Sequence, residues 1–229
     1  MRLFQVRSSA CLEDEKLKKS SSDLIQHRTI QTDEVTGLDR YQLLTSLVVP
    51  RPIGWISTYG KNGVLNLAPF SFFSAVAASP MLVSVSIGTR MGNPKDSLRN
   101  IRDQKAFCVN IVTEAQVQKM NETSADFSPE QDEFERANVP VGVAGMVNAP
   151  YVGNCPAVLE CELYRDLDLG DAGGLLLGEV KAVRLDSSIG FKEGSHLIDT
   201  TDLRPVARLG GAEYTLLGDI LVIPRPSSK

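Results

Sequence analysis

The stretch that most constrains the fold of this chain covers residues 49–73, VPRPIGWISTYGKNGVLNLAPFSFF. It opens with a proline-bounded apolar run, and Asn62-Gly63 then gives a strong signal for the turn of a β-hairpin. A second short run leads into Ala-Pro-Phe-Ser-Phe-Phe. Because Pro69 has no backbone N–H, we do not expect this last segment to be a central strand. Its small polar and aromatic residues indicate the wall of a flat, polar-edged ligand rather than plain core.

The composition is that of an ordinary globular protein. Hydrophobic residues make up 42% and charged residues 23% of the 229 residues, and the formal net charge is −4. There is no long basic run, so we expect no nucleic-acid partner. No apolar run approaches the ~20 residues needed to cross a bilayer, so we expect no membrane association and a cytoplasmic location.

Side chains that catalyse reactions by themselves are scarce in this sequence. The four cysteines form no C-x-x-C pair and there are two histidines, so we predict no metal site and a reducing compartment. The chain also lacks a P-loop, a G-x-G-x-x-G after a strand and a G-x-S-x-G elbow. Such a chain suits a reaction carried by a bound cofactor such as a flavin, and we therefore name no catalytic residue.

The sequence before residue 38 is polar and rich in lysine and serine, without sustained periodicity. We predict an extended or flexible N-terminal arm over residues 1–37 and one domain over residues 38–229. Apolar residues at helical spacing predict a short helix over residues 39–47.

Strand patterns dominate the remaining chain. Residues 81–87 alternate most cleanly, and Ser84 and Ser86 share a face that either meets solvent or lines a ligand site. Two further long strands are predicted over residues 157–165 and 175–185. With at least six short strands and few helices, the fold class is mainly β, a closed or nearly closed barrel.

Between these strands lie one helix start and one acidic loop. Asn93 is a good N-cap and Pro94 a good first helical residue, which places Lys95 and Ser97 in a first turn able to hold an anion. The alternative is an ordinary capped surface helix with an exposed lysine. The loop-rich segment that follows carries acids that we interpret as a solvated face. They are Asp126, Glu130, Asp132, Glu133 and Glu135.

Three motifs occur in a fixed order: PRPIGWIST with GVLNLAPFSFF, then a strand, then N-P-K-D-S-L-x-N-I. Together they resemble the flavin reductase-like family, whose fold is the FMN-binding split barrel of Greek-key type. The resemblance extends from Tyr41 to about Tyr214 and includes Glu133-Phe134 in the middle loop. It implies that FMN is the cofactor.

The resemblance also implies roles for particular residues around the flavin. The expected flavin contacts are Ser57, Thr58, Ala68, Pro69, Phe70, Ser71 and Phe72. The first two would contact the flavin and its ribityl chain, and the others would line the ring edge through their backbone amides.

Lys95 and Ser97 would hold the phosphate by this resemblance; the family commonly has threonine where Ser97 stands, which keeps the hydroxyl. Weaker candidates are Trp55, Ile56, Ser84, Ser86, Arg204 and Arg208. Trp55 belongs either to the core or to the ring site. The two arginines either reach a flavin or nicotinamide phosphate, across a dimer, or form structural ion pairs.

Proteins of this family are typically homodimers with FMN near the subunit interface, and many reduce flavin with NADH or NADPH. The resemblance therefore implies a homodimeric FMN-dependent oxidoreductase that acts on small molecules. Three alternatives stay open. They are a flavoprotein electron carrier reduced by a protein, a tailoring enzyme that uses flavin on an organic substrate, and a non-enzymatic flavin- or haem-binding barrel.

Overall fold

The computed structural model describes residues 25–128 and 130–227, apart from the side chain of Asn62. Most of the arm predicted over residues 1–37 lies outside these residues. Within them the chain is mainly β with a few helices, which confirms the predicted class. None of the described helices is long and apolar enough to cross a membrane.

The described residues form strands and helices whose bounds are as follows. The strands are β1 (Arg51–Pro52), β2 (Gly54–Tyr59), β3 (Leu65–Phe70), β4 (Phe73–Ala78), β5 (Met81–Ile87), β6 (Thr89–Arg90), β7 (Asn93–Pro94), β8 (Ala106–Ile111), β9 (Val141–Val143), β10 (Pro150–Val152), β11 (Ala157–Asp168), β12 (Gly174–Leu185), β13 (Ala207–Arg208) and β14 (Tyr214–Thr215). The helices are α1 (Gly37–Leu47), α2 (Asp96–Gln104), α3 (Val117–Glu122), α4 (Glu133–Arg136) and α5 (Thr200–Leu203).

The chain divides into a short N-terminal unit, residues 1–41, and a larger unit, residues 42–229. Helix α1 begins with a reciprocal cap. The Asp39 carboxylate accepts hydrogen bonds from the Thr36 N–H and hydroxyl, at 3.1 and 2.7 Å, and the Thr36 hydroxyl oxygen accepts one from the Asp39 N–H. The helix predicted over residues 39–47 is therefore confirmed, with an earlier start.

Seven strands form one antiparallel sheet in the order β3-β2-β8-β11-β12-β5-β4. Its two edges, β3 and β4, are separated along the chain by residues 71 and 72 alone, so the sheet must curve until its edges approach each other. No ladder joins these edges within the described residues. Of the two expected forms, the closed barrel is therefore not found, and the Greek-key connection stays a prediction.

The predicted hairpin is confirmed as β2 and β3. A 3-10 turn over Lys61–Gly63 joins the strands, and Gly63 adopts a φ of 78°, which favours glycine. Pro69 lies on β3, an edge strand of the sheet. This agrees with the expectation that a residue without an N–H donor would not occupy a central strand.

Apolar side chains form two main clusters, and alternate residues of β2 contribute to each of them. The first cluster includes Ile56, Phe107 and Leu176, together with Leu98 and Ile101 from α2. The second cluster includes Trp55 and Leu67, together with Met120 from α3 and Phe134 from α4. These contacts hold the three short helices against the hairpin.

The start of α2 differs from the prediction. Asn93 and Pro94 are not an N-cap and a first helical residue; they form β7, which pairs with β6 around Met91 and Gly92, both at positive φ. This small hairpin keeps the chain extended until Lys95, which takes the N-cap position. The Lys95 side chain makes no capping hydrogen bond, as expected for an ammonium group, which has no acceptor to offer the helix N–H groups.

Arg51 is a buried cation whose guanidinium binds three backbone carbonyls. It donates to the carbonyl oxygens of Thr45, of Val48 at 3.0 Å and of Leu209 at 2.9 Å. Its Nε also donates to the Ser71 hydroxyl at 3.3 Å. One side chain thus joins the end of α1, the corner between β3 and β4, and the C-terminal segment.

We expect Arg51→Met to lower the free energy of unfolding by about 3 kcal/mol, because it leaves several carbonyls without a charged donor. Urea unfolding followed by circular dichroism measures this loss. The matched control is Lys119→Met, which removes an exposed ion pair with Glu122 and should change stability by about 0.5 kcal/mol or less. Equal losses in the two variants would contradict the role assigned to Arg51.

Candidate functional site

A hollow of about 380 Å³, which we call the main cleft, opens beside the edge strand β3. It is lined by the second half of β3, by the β6–β7 hairpin and the start of α2, by residues 123–127 and by Glu133. Among the predicted flavin contacts, those that line it are Ala68, Pro69, Phe70, Lys95 and Ser97. The structure therefore brings together the two halves of the predicted site, the ring wall and the phosphate-binding turn.

The outer edge of β3 presents carbonyl groups to its surroundings rather than amides. The Leu67 N–H donates outward to Glu133 Oε2 at 3.1 Å, so the alternation of an antiparallel ladder also turns Pro69 outward. Pro69 has no N–H, and the N–H groups of Ala68 and Phe70 point to β2. Within β3, the expected row of free amides is therefore absent.

Lys95 is distinguished by its electrostatic surroundings. The two arginines of the main cleft are each paired with a carboxylate, Arg90 with Asp126 at 3.2 Å and Arg99 with Asp96. Lys95 forms no ion pair with any carboxylate of the described residues. Its ammonium group is thus available to an anion in the cleft.

The N-terminus of α2 reinforces this positive charge. The first N–H groups of a helix have no partner within the helix and carry a partial positive charge. The Lys95 Nζ lies 5.8 Å from the centroid of the Phe70 ring, which joins the cationic turn to the aromatic part of the wall. Asp96 occupies the same first turn and offsets part of the charge.

Beneath the cleft, buried polar side chains form a continuous network centred on Asn66. Its Oδ1 accepts hydrogen bonds from the hydroxyls of Ser97 at 2.8 Å and Thr58 at 3.1 Å. The Thr58 hydroxyl oxygen in turn accepts one from Asn100 Nδ2 at 3.1 Å. Ser97 was predicted to bind phosphate. Its side chain is almost completely buried, and its hydroxyl proton is already donated to Asn66.

Glu133 was interpreted from the sequence as part of a solvated acidic face, and the structure shows otherwise. Its side chain is 7% exposed, and its two carboxylate oxygens accept hydrogen bonds from Asn66 Nδ2 at 3.0 Å and the Leu67 N–H at 3.1 Å. Burial raises the pKa of Glu133 to about 7, against the opposing effect of these hydrogen bonds, and the charge of Asp96 adds to the rise.

Glu133 also separates the main cleft from a second hollow of about 320 Å³, the adjoining cleft, and lines both. No local sequence signal distinguishes it from the other acids of the loop. Asp132 caps α4 by accepting from the N–H groups of Phe134 and Glu135, and Phe134 is buried. Glu133 and Glu135 both flank this anchored aromatic residue, yet Glu133 is buried and Glu135 is exposed, so adjacency to Phe134 does not separate them.

Four predicted contacts on β2 lie inside the protein. Their side chains are fully buried and line neither cleft; they are Trp55, Ile56, Ser57 and Thr58. The Trp55 indole donates to the Thr123 hydroxyl at 2.8 Å, so it supports a lining residue of the main cleft from behind. The Ser57 hydroxyl donates to the Pro150 carbonyl at 2.6 Å. Since this part of β2 is covered on both faces, these four side chains do not reach either cleft within one subunit.

Four more predicted contacts lie toward β4 and β5 and do not line the main cleft. Ser71 accepts a hydrogen bond from Arg51, and Phe72 is partly exposed at the corner between β3 and β4. Ser84 and Ser86 are half-buried on β5. Their contact with a cofactor stays a prediction.

The two predicted arginines lie near the C-terminal segment, and neither lines the main cleft. Arg204 forms an exposed ion pair with Glu114. The Arg208 guanidinium lies over the Tyr214 ring, 4.4 Å from its centroid. Arg204 thus forms the structural ion pair that was one of its two alternatives, whereas Arg208 takes part in none of the ion pairs among the described residues. A cofactor contact of either arginine across a dimer stays a prediction.

The described residues offer no metal site, since no group of three or more His, Cys, Asp or Glu side chains converges. The described cysteines, Cys108, Cys155 and Cys161, are free. Burial raises the pKa of Cys108 to about 12 and that of Cys155 to about 11, so these thiols stay protonated at neutral pH.

Solved structures give close matches to the whole fold. Nitrilotriacetate monooxygenase component B from Bacillus cereus superimposes with a TM-score of 0.83 at 33% identity, covering 87% of this chain and 100% of that one. The 2-nitrobenzoate 2-nitroreductase NbaA of Pseudomonas fluorescens gives a TM-score of 0.79 at 26% identity, covering 87% and 96%.

Sequence comparison agrees with the structural matches. An uncharacterised protein of Aquifex aeolicus is 38% identical over 182 residues, which are 79% of this chain and 91% of that protein. The family model described as flavin reductase like domain matches residues 46–200. The chain therefore belongs to the flavin reductase like domain family and is a flavin-related oxidoreductase.

Proposed function

We propose that this protein is an FMN-dependent oxidoreductase in which NADH or NADPH reduces FMN bound in the main cleft, with the electrons passing on to an acceptor. One observation carries the proposal. A lysine without a carboxylate partner in the described residues stands at the start of α2, directly across from the edge strand β3. A cationic turn beside an extended wall matches a molecule with a phosphate at one end and a flat ring at the other.

The residues present fit a phosphate group. Lys95 supplies a charge-assisted hydrogen bond, and the first N–H groups of α2 supply further donors to a dianion. Ser97 contributes differently from what the sequence suggested. Its proton is donated to Asn66, so we assign it to holding the helix start in place rather than to donating to the phosphate.

The wall along β3 fits one edge of a flavin ring. Its outward carbonyl oxygens accept hydrogen bonds, and the isoalloxazine ring carries an N–H donor on its pyrimidine side. A bound flavin supplies the hydride chemistry, for which the protein needs mainly to position the ring. Accordingly, we assign no catalytic acid or base to this half-reaction.

We also propose that the protein is a homodimer with FMN near the subunit interface. The edge strand β4 exposes the apolar residue Val76, and Met81 and Phe72 are exposed close by in the chain. An uncovered edge strand with apolar side chains is a surface that proteins usually bury. A second copy covering β4 would also approach residues 71 and 72, next to the wall of the main cleft.

The two structural matches favour different acceptors. The Bacillus cereus protein is named as a component of a monooxygenase, and the Pseudomonas fluorescens protein as a nitroreductase of 2-nitrobenzoate. By analogy, the reduced flavin of this protein either leaves for a partner enzyme or reduces a small organic substrate in place. An electron carrier reduced by another protein is the third form of the proposal.

Replacing Lys95 with alanine should weaken FMN binding by about tenfold to a hundredfold, because a charge-assisted hydrogen bond to the phosphate is lost. Riboflavin lacks the phosphate, and its affinity should change by about twofold or less. Quenching of flavin fluorescence measures both affinities. The matched control is Lys119→Ala, an exposed lysine outside both clefts. A similar loss for FMN and riboflavin, or none for FMN, would show that the phosphate lies elsewhere.

Anaerobic titration of the FMN-loaded protein with NADH and with NADPH tests the proposed electron donor. We expect one of them to bleach the visible absorbance of the flavin at about one equivalent per flavin, since hydride transfer is a two-electron step. If neither does and dithionite does, the protein is an electron carrier. Turnover of a nitroaromatic substrate without added free flavin would instead identify a tailoring enzyme. Failure to take up FMN at all would rule out the proposed function.

A further inference from the structure

Glu133 is a buried carboxylate that has no counter-ion among the described residues. Both of its oxygens accept hydrogen bonds from neutral donors, Asn66 Nδ2 and the Leu67 N–H. Glu133 takes part in none of the ion pairs formed by the described residues. A buried charge of this kind is costly unless it is paired, so its ionisation depends strongly on what occupies the clefts beside it.

The charged groups around Glu133 do not neutralise it. Helix α2 contributes Asp96 and Arg99, which pair with each other. The hairpin turn before β3 contributes Lys61, which is exposed on the adjoining cleft, and β3 itself has no ionisable side chain. From the preceding loop come Glu130 and Asp132, both acids. Across the main cleft, Arg90 is paired with Asp126 and Lys95 faces the open space.

The hydrogen bonds of Glu133 reach the predicted phosphate-binding turn through one intermediate. Glu133 binds Asn66, and Asn66 accepts the Ser97 proton in the first turn of α2. The carboxylate therefore lies one side chain away from the turn where Lys95 would hold a phosphate. Two negative groups this close disfavour each other's ionised forms.

We propose that binding of a phosphate-bearing ligand in the main cleft is coupled to uptake of a proton by Glu133. The inference rests on the proposed function, since it takes FMN in that cleft as the ligand. Glu133 acts as a positioning residue, through Asn66, and as the group whose charge the ligand changes.

The direction of the pH dependence follows from the charges. The pKa of Glu133 is already raised to about 7 in the free protein, and a dianionic ligand raises it further. The contribution of Glu133 therefore favours binding most below pH 7, where the residue is protonated in both states, and it declines as pH rises from the pKa of the free protein to that of the complex. If the ligand raises the pKa by about one unit, affinity falls by about tenfold between pH 6 and pH 9.

Calorimetric titration with FMN at pH 7.5, in buffers of different ionisation enthalpy, measures the protons taken up on binding. We expect about half a proton for the wild-type protein, from a one-unit rise centred on this pH. Riboflavin should give much less, because it brings no charge. The FMN phosphate is itself a dianion above about pH 7 and contributes little there.

Two variants isolate Glu133. Glu133→Gln should bind FMN without net proton uptake and with little dependence on pH, whereas Glu135→Gln, an exposed acid on the same helix, should behave as the wild type. If the wild-type protein binds FMN with no uptake, or with the same uptake as for riboflavin, the coupling is wrong even if Glu133→Gln does not fold. If FMN does not bind at any pH, the proposed function fails, and the coupling fails with it.

Discussion

The amide of Asn66 is the interaction on which the candidate site depends. Asn66 lies on β3, an edge strand, and its side chain connects this strand to the helices α2 and α4 and to β2. The Oδ1 atom accepts protons from Ser97 on α2 and Thr58 on β2, and the Nδ2 atom donates to Glu133 on α4. Because all these groups are buried, loss of any one partner would leave others unsatisfied, which makes the geometry of the whole cluster specific.

An edge strand is usually a liability, since its outer N–H and C=O groups invite another strand to pair. On β3 two residues prevent this in different ways. The Leu67 N–H is occupied by Glu133, and Pro69 offers no N–H at all. Around these two residues an added strand would find no free N–H to pair with, yet the carbonyls remain available. The same features that protect the edge leave a polar, open wall beside the start of α2, which is what a ligand with a flat ring requires.

Local signals in the sequence were sufficient for much of this fold. The Asn62-Gly63 turn, the alternation over residues 81–87 and the proline of the edge strand each act within a few residues, and each predicted its element. The predicted start of α2 was wrong because the residues around Met91 and Gly92 favour a hairpin, whereas Asn-Pro favours a helix start. The local sequence does not show which of these two preferences is stronger. Whether the sheet closes into a barrel depends on how strands distant in the sequence pair, and the sequence of a single strand does not determine this.

Burial of Glu133 could not be predicted from a loop of five acids, because it depends on hydrogen-bond donors of β3, a strand distant in the sequence. The outward Leu67 N–H and the Asn66 amide nitrogen are both donors, and they reach the same side chain. A neutral amide at position 133 has one accepting oxygen, whereas a carboxylate has two. An edge strand that needs two acceptors therefore places a titratable carboxyl group in the wall of the main cleft, close to the turn that favours an anion. Glu133 thus has two effects: it satisfies the hydrogen-bond donors of β3, and it influences the electrostatics of the main cleft.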